Sequence, residues 1–397
     1  MARLISALLP ACRGRSAMPC CWIYACNING RRPCKSWCPS PGRQGKRHEN
    51  RKRNGMHPLA EKIERLLRDQ ELLCPGERIV VGVSAGPDSM ALLHLLAGLA
   101  WQPALQITAL YVDHGLRPAE TEAEAALVKA AANRLGVGFE LVALDVAAEA
   151  ARCKKSLEHM ARDLRYEAFI RLAKRLGATR IAVAHTADDQ AEEVIIRLLR
   201  GAGRGGLAGM RLLREECIVR PLLTTAKHDI LAYLQSADIP FLQDSSNTDL
   251  RFLRNQVRLE ILPFLERYNP GLRRTLQRNA AILQDEEDLL SRQARRCWQE
   301  VARVSGTPPD QSARITIDGR RLLALHPALQ RRVAEMMLIA MTARPDSRHI
   351  EQFLHLARQG QGGAQLHFSR GLRVRKQRGV LICSYPRGLG AGRGNLE

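Results

Sequence analysis

The sequence predicts an α/β protein with a doubly wound parallel sheet, followed by a mainly helical α+β C-terminal region. The run Ile79–Val83 holds four β-branched residues and one glycine, which is typical of a strand buried on both faces of a parallel sheet. Further predicted strands alternate with predicted helices as far as about residue 223. From Pro263 onward the chain becomes helical and basic, and it ends in short alternating runs.

The alternation predicts right-handed crossovers between parallel strands, and ligands bind such sheets beyond the carboxyl ends of the strands. Thr121 with Glu124 predicts a capping box at the start of one helix. In chain order we predict a helix at Leu59–Leu73, strands at Leu105–Val112, Phe139–Leu144, Arg180–Ala184 and Cys217–Val219, helices at Thr121–Leu135, Ser156–Leu176, Lys227–Ala237, Pro327–Ala343 and Ser347–Gln359, and strands at Ala364–Phe368, Leu372–Arg375 and Gly379–Cys383.

The turn after the first strand predicts an anion site. Residues Ser84 to Ser89 read Ser-Ala-Gly-Pro-Asp-Ser, and the apolar run Met90–Leu96 has helical spacing. Backbone N–H groups left unpaired at a helix start point into such a loop, Gly86 lets a phosphate approach, and Asp88 can hold Mg²⁺. The loop matches neither Gly-x-x-x-x-Gly-Lys-Ser/Thr nor Gly-x-Gly-x-x-Gly, so two common phosphate loops are excluded. An ordinary turn capped by serine is the alternative.

A second candidate site begins at the end of the strand Arg180–Ala184. His185 is followed by four carboxylates within six residues, and Thr186 with Asp189 matches a capping box, which needs no chemistry. Asp189 and Glu192 are three residues apart and therefore share one helix face. The pattern predicts a two-carboxylate clamp for a lysine ammonium group or for Mg²⁺.

Two arginine-rich segments follow. The glycine-dense loop 197–210 favours nucleotide binding, although a mobile surface linker is the alternative. After the polar loop Asp244–Asp249, three arginines are predicted to share one helix face, as a basic stripe for RNA backbone or as a solvated face. The arginines of the two segments are Arg197, Arg200 and Arg204, then Arg251, Arg254 and Arg258.

The net charge of +21 suggests a polyanionic partner such as nucleic acid, although residues 1–55 contribute +11 of it. No apolar run approaches the roughly 20 residues of a membrane span, so no membrane association is expected. The cysteines after residue 55 are scattered singly, which favours a reducing cytoplasm.

Residues 1–55 differ from the rest of the chain, because they hold six of the eleven cysteines and show no periodicity. Three interpretations compete. A metal knuckle would need paired cysteines, and Cys34 to Cys38 is the nearest approach. A targeting peptide loosely fits Met1–Ala11. The interpretation we favour is translation from Met56, or disorder.

With these motifs in order, the chain resembles the tRNA(Ile)-lysidine synthetase family of the PP-loop ATP pyrophosphatases, strongly over about residues 60–265. The departures are Ala85, where the loop has glycine, and Glu193, where the family tends to have threonine. The matching segments are Ser84–Ser89, Val112–Arg117, Ala161–Tyr166, His185–Glu192, Arg197–Met210, Arg220–Leu223 and Asp244–Arg258.

The resemblance implies five segments: an extension or mis-assigned start at 1–55, a Rossmann-like PP-loop catalytic domain at 56–265, a helical linker or tRNA-binding segment at 266–305, a small C-terminal tRNA-binding domain at 306–385 and a disordered tail at 386–397. It also implies a reaction. ATP adenylates the C2 oxygen of the wobble cytidine in the CAU anticodon of tRNA(Ile), pyrophosphate leaves, and the ε-amine of free L-lysine displaces AMP to give lysidine. Codon reading then changes from AUG to AUA.

The resemblance carries roles over to matching residues. Asp88 would bind Mg²⁺, Asp189 and Glu192 would fix lysine, and His185 would accept a proton from the amine. A homodimer is also possible. The implied ATP-binding residues are Ser84, Ala85, Gly86, Pro87, Asp88, Ser89, Asp113 and His114, and the implied tRNA-binding residues are Arg117, Arg200, Arg204, Arg251, Arg254, Arg258, Arg273 and Arg274.

Three other functions use similar features. A tRNA thiolase has a similar ATP loop but needs reactive cysteines at short spacing, and the cysteines after residue 55 lie far apart. An amidotransferase-type synthetase needs a glutaminase domain, which is not evident. A non-catalytic RNA-binding protein with a relic nucleotide fold is the third alternative.

Overall fold

The computed structural model describes residues 57–116, 118–242, 249–306, 313–343 and 345–385. The predictions for residues 1–55, Arg117, the polar loop 244–248 and the tail 386–397 therefore lie outside the described residues. The chain divides into two compact units, with the boundary between Ala281 and Ile282. This boundary falls inside the predicted segment 266–305, and the predicted domain limits stay predictions.

The first unit contains the predicted alternation of strands and helices. Its strands are β1 (Arg78–Gly82), β2 (Gln106–Asp113), β3 (Gly138–Ala143), β4 (Arg180–Ala182), β5 (Leu213–Arg214) and β6 (Ile218–Val219). Its helices are α1 (Pro58–Asp69), α2 (Pro87–Ala97), α3 (Pro118–Leu135), α4 (Val146–Cys153), α5 (Leu157–Leu176), α6 (Ala187–Leu199), α7 (Arg204–Leu207), α8 (Lys227–Ser236), α9 (Leu253–Gln256) and α10 (Leu262–Glu266). A π-helical turn, Val257–Ile261, joins α9 to α10, and α11 (Leu272–Val301) begins in this unit.

The strands described for this unit form one sheet in the order β3-β2-β1-β4-β6-β5, in which β1 pairs in parallel with β2 and β4, and β5 runs antiparallel to β6. Ile79 and Val81 pack into an apolar cluster that contains side chains of α1, α2, α3 and α8. Val80, between them, packs on the opposite face against Phe169 of α5. The alternation along one strand thus buries both faces, which confirms the α/β fold class.

The predicted capping box of α3 is wrong. The helix begins at Pro118, so Thr121 and Glu124 lie inside its first turns. The Thr121 hydroxyl lies 3.3 Å from Asp113 Oδ1, and Glu124 Oε2 accepts a hydrogen bond of 2.7 Å from the Tyr111 hydroxyl. Both side chains therefore fasten the helix to the end of β2 rather than capping it.

The second unit holds a five-stranded antiparallel sheet with helices packed on one face. In these helices, the side chains of Met337 and Phe353 are 0% exposed. Two of its strands, Ala302–Ser305 and Arg314–Asp318, and one helix, Gly319–Ala324, were not predicted from the sequence. Its elements are β7 (Ala302–Ser305), β8 (Arg314–Asp318), α12 (Gly319–Ala324), α13 (Pro327–Ala340), α14 (Ser347–Gln359), β9 (Gln365–His367), β10 (Arg373–Gln377) and β11 (Val380–Ser384). The order of the strands in the sheet is β7-β8-β11-β10-β9. In the described parts of the chain, every helix is too short or too polar to cross a bilayer.

Candidate active site

The loop between β1 and α2 has the geometry of an anion site. Gly86 precedes the first turn of α2, and no side chain caps this helix end. Ser89 Oγ accepts a hydrogen bond from the Ser84 N–H (3.0 Å) and donates one to the Gly86 carbonyl (3.0 Å). Ser89 therefore shapes the loop, whereas the exposed Ser84 and the amides at the start of α2 are left to bind an anion.

Ala85 occupies a position that favours glycine. Its φ angle is +59°, in the left-handed region, where a β-carbon costs roughly 1–2 kcal/mol. The residue is fully buried, and its carbonyl accepts a hydrogen bond of 3.0 Å from the Leu242 N–H. Ala85 therefore offers a ligand only its backbone, while Pro87 fits the first helical position without strain.

A cavity of about 260 Å³ opens beside this loop, lined by Asp88, Thr186, Asp188, Asp189, Glu192, Lys227, Arg258 and Arg273. Asp88 Oδ1 is buried and has no hydrogen-bond partner among the described residues. Burial is the main cause that raises the pKa of Asp88 to about 6; Lys227 opposes the rise, and neighbouring Asp189 adds to it. An unpaired carboxylate oxygen beside other carboxylates is a suitable hard ligand for a divalent cation.

Asp189 and Glu192 face the cavity from one side of α6, as their spacing predicts, and two arginines neutralise them. Arg254 donates to Asp189 Oδ1 (2.8 Å) and Glu192 Oε2 (3.0 Å), and Arg258 donates to Glu192 Oε1 (2.6 Å). Burial alone would raise the pKa of Asp189, but Arg254 holds it below its usual value. Thr186 and Asp189 also form the predicted capping box, so one residue serves both the helix end and the ion-pair cluster.

The prediction that three arginines share one helix face is wrong. Arg251 precedes α9, with its side chain 87% exposed and paired to Asp249. Arg254 and Arg258 turn inward, with side chains only 24% and 26% exposed, because a carboxylate as buried as Glu192 requires a nearby cation. Of the three, Arg251 is the arginine that remains well exposed for RNA.

A second network surrounds Asp188, which the sequence suggested only as part of an acidic run. The Lys227 N–H donates to Asp188 Oδ2 (2.8 Å), and Arg273 Nη1 donates to Asp188 Oδ1 (3.0 Å). Arg273 also pairs with Glu266 at 2.8 Å. Arg273 was predicted to contact tRNA, and the structure places it in the cavity wall, whereas the adjacent Arg274 is exposed.

The chain is similar to known proteins over most of its length. Residues 56–265 match the PP-loop domain family, and residues 318–382 match the TilS substrate binding domain. The tRNA(Ile)-lysidine synthase of Symbiobacterium thermophilum is 36% identical over 355 residues, covering 86% of this chain and 72% of the relative. That of Bacillus subtilis is 33% identical over 321 residues, covering 79% and 67%. That of Geobacter sulfurreducens is 40% identical over 235 residues, covering 59% and 50%.

The chain belongs to the tRNA(Ile)-lysidine synthase family. It is therefore an ATP-using enzyme that modifies tRNA, and the resemblance seen in the motifs is confirmed. The site residues of the enzyme stay predictions.

His185 of the enzyme lies at the end of β4 and faces Arg220. Its Nδ1 accepts a hydrogen bond of 3.3 Å from Arg220 Nε, so the neutral ring carries its proton on Nε2. Burial holds the pKa of His185 well below its usual value, and Arg220 lowers it further. The imidazole is therefore neutral at physiological pH, with its one acceptor nitrogen already in use.

A cluster of arginines next to His185 was missed as a unit, although its residues belong to the matching motifs. Arg162 and Arg214 lie 5.5 Å and 5.7 Å from the Tyr166 ring centroid. Burial lowers the pKa values of Arg165 and Arg220, and neither makes an ion pair with a described residue. Burial would raise the pKa of Tyr166, but Arg220 and its neighbours lower it. This cluster has positive charge to spare for an anion.

Asp113 and His114 lie at the carboxyl end of β2, next to β1, but they are not among the residues that line the cavity. Asp113 Oδ1 accepts a hydrogen bond of 2.8 Å from the Gly115 N–H and so supports its own turn. Binding of ATP by either residue stays a prediction.

The glycine-dense loop after α6 is anchored, contrary to the alternative of a mobile linker. Arg197 donates to the carbonyls of Gly206 (2.8 Å) and Gly209 (3.0 Å). The Gln190 amide bonds both the N–H and the carbonyl of Met210. The two predicted tRNA contacts of this loop, Arg200 and Arg204, are exposed.

Proposed function

We propose that the enzyme ligates free L-lysine to C2 of the wobble cytidine in the CAU anticodon of tRNA(Ile). The observation that carries the proposal is the shared cavity, in which Asp88 of the phosphate loop lies with the carboxylates of α6. An enzyme that activates a base with ATP and then adds an amino acid needs its ATP site and its amino-acid site side by side, because the same base must reach ATP first and the amino acid afterwards.

In the first step the cytidine C2 oxygen attacks the α-phosphorus of ATP, the bond to the β-phosphate oxygen breaks, and pyrophosphate leaves. The amides at the start of α2 and the exposed Ser84 hydroxyl, which lies 3.4 Å from Ser89 Oγ, would donate to the pyrophosphate. Arg165 and Arg220 would provide further positive charge for a phosphate. These donors are held in place before ATP arrives, which is the arrangement that stabilises a developing charge most.

Mg²⁺ fits this site, although no cluster of three or more metal-ligating side chains occurs among the described residues. Mg²⁺ is usually held by one or two carboxylates together with phosphate oxygens. Asp88 would hold it, since its buried Oδ1 lacks a partner. When bound, Mg²⁺ neutralises phosphate charge.

In the second step the ε-amine nitrogen of lysine attacks C2, the C2–O bond breaks, and AMP leaves. The α6 cluster presents two carboxylates and two guanidinium groups, which matches the opposite charges of a free amino acid. Asp189 and Glu192 would bind the α-ammonium group, and Arg258, which lines the cavity, would bind the α-carboxylate. The ε-amine is then left free to react.

The amine must lose a proton, and the geometry argues against His185 as its acceptor. Protonation at Nδ1 would break the bond to Arg220, and the lowered pKa of His185 makes protonation costly. His185 is better suited to positioning Arg220. In this proposal bulk water or the phosphate group of the departing AMP takes the proton instead.

The predicted tRNA-binding domain at 306–385 would offer tRNA the uncovered face of its sheet, a surface that the sequence did not single out. In the strands, alternate side chains point to this face. Arg375 lies opposite Ile382, which lies opposite Thr316, which in turn lies opposite Arg303. The neighbouring row carries Arg373 and Arg314, and all four arginines are exposed. Such a surface would bind phosphates rather than bases.

The decisive experiment measures ATP-dependent transfer of radiolabelled lysine to unmodified CAU-anticodon tRNA(Ile). Wild type should incorporate lysine and release pyrophosphate, whereas Asp88→Ala should do neither while remaining folded. The matched pair Glu192→Gln and Glu193→Gln tests the lysine site, because Glu193 pairs with Arg197 and lies outside the cavity lining. Glu192→Gln should lose incorporation, and Glu193→Gln should retain it.

If Asp88→Ala kept full tRNA affinity and full biological activity, the non-catalytic alternative would replace the proposal. A cytoplasmic location is proposed because the substrates are tRNA and free lysine. A homodimer stays a prediction, which sedimentation of the purified enzyme would test.

A further inference from the structure

Two aromatic side chains lie exposed after the arginines of the site, and nothing described above uses them. Phe264 is 52% exposed and Tyr268 is 77% exposed. Their ring centroids lie 5.5 Å apart at an angle of 66°, and the Arg267 guanidinium lies 6.0 Å from the Phe264 centroid. Large aromatic rings are usually buried, so a pair exposed together with a cation indicates a binding surface.

Ion pairs connect this aromatic pair to the cavity. Glu266, the last residue of α10, accepts a hydrogen bond from Arg273 Nε, and Arg273 Nη1 donates to Asp188 in the cavity wall. Buried Leu262 of α10 and Ile195 of α6 belong to one apolar cluster. The aromatic pair therefore stands on the same packed framework as the carboxylates of α6.

Hydrogen bonds stabilise the turn around the rings. The Tyr268 N–H donates to the Leu265 carbonyl (3.1 Å), and the Gly271 N–H donates to Asn269 Oδ1 (3.0 Å). Because the turn is already ordered, binding through the rings would cost little conformational entropy. Exposed arginines follow on α11 at Arg274 and Arg278.

We propose that Phe264 and Tyr268 form a stacking platform for an unpaired base of the RNA loop. The base next to it in that loop is the one that enters the cavity. This inference rests on the proposed tRNA substrate. A base that undergoes chemistry must leave its stack, and its neighbours then lose a stacking partner. Aromatic side chains can replace that partner for any base, while the flanking arginines pair with phosphates.

A second copy of this chain fits the surface less well than RNA does. The chain carries a net charge of +21, and the rings are flanked by arginines, so two copies would meet with like charges. Glu266 is already paired with Arg273, and the exposed Arg267, Arg274 and Arg278 outnumber the exposed Glu260. Charge complementarity thus favours a polyanion.

The test compares Tyr268→Ala with Tyr268→Phe in the full-length enzyme, using a CAU-anticodon hairpin that carries 2-aminopurine at one loop position at a time. Stacking on a ring quenches 2-aminopurine fluorescence. Wild type and Tyr268→Phe should quench at least one position, and Tyr268→Ala should lose that quenching and bind the hairpin about 5- to 150-fold more weakly. Leu157→Ala, an exposed apolar residue on α5, is the control and should bind as wild type does.

Salt dependence separates stacking from charge. Tyr268→Ala should keep the wild-type slope of log Kd against log salt, whereas Arg274→Gln should reduce it by about one. Unchanged quenching and affinity in Tyr268→Ala, in an enzyme that still incorporates lysine, would overturn the platform and leave the proposed function standing. So would a change in oligomeric state without a change in RNA affinity. Loop binding through Tyr268 without lysine transfer would instead refute the proposed function alone.

Discussion

Replacing Asp88 by asparagine should stabilise the enzyme while abolishing lysine incorporation. Burial and the neighbouring carboxylates Asp189 and Asp188 raise the pKa of Asp88 from 3.8 to about 6, against Lys227. Between these two pH values the folded state binds more protons than the unfolded state, so stability falls as pH rises. At about 1.4 kcal/mol for each tenfold change in proton affinity, the ionised side chain costs the fold about 3 kcal/mol at neutral pH.

The assay uses circular dichroism to measure the urea unfolding of wild type and of Asp88→Asn, at about pH 4 and at about pH 7. The free energy of unfolding of the variant should exceed that of wild type by up to about 3 kcal/mol near pH 7. The difference should be close to zero near pH 4, where the wild-type carboxyl group is neutral in the folded state. Adding MgCl₂ should reduce the difference in the free energy of unfolding between the two proteins, because it should stabilise only the wild type. Asp163→Asn is the control, because Asp163 is half exposed and pairs with Lys155 at the surface; it should change stability by less than about 0.5 kcal/mol. A variant no more stable than wild type at pH 7, or equally stabilised at both pH values, would refute the reasoning.

Three further predictions concern the same unit. Glu192→Gln should cost about 1–3 kcal/mol in urea unfolding, because it removes a buried carboxylate that pairs with Arg254 and Arg258 and leaves Asp189 to neutralise both; a loss below about 0.5 kcal/mol would contradict this. Gly209→Ala should be less stable than Gly201→Ala by about 1–3 kcal/mol. Both glycines have positive φ angles (+66° and +71°), but only at Gly209 would a β-carbon lie 2.8 Å from the Gln190 side chain. The value of kcat/KM should increase with pH, with an inflection at about pH 6 where the Asp88 carboxyl group ionises. The His185→Asn variant should retain this inflection. Loss of the inflection in that variant would assign the titration to the histidine.

The fold of the first unit could be predicted because its signals are local. Apolar runs such as Ile79–Val83 mark buried strands, and helical spacing marks the segments between them. The phosphate loop is equally local, since a strand, a turn and a helix start are contiguous in sequence. The start of α3 was misjudged because Thr121 and Glu124 match a capping pattern but contact the distant β2 strand instead.

The sequence by itself determined which residue types were available to the site: a phosphate loop, a face of α6 with two carboxylates, and many arginines. Only the tertiary structure decided which arginines serve the site and which face solvent. Arg251 and Arg254 are three residues apart, yet one is exposed and the other reaches across more than sixty residues of chain to Asp189. Burial of a carboxylate is a property of the packed state, and so is the identity of the cation that compensates it.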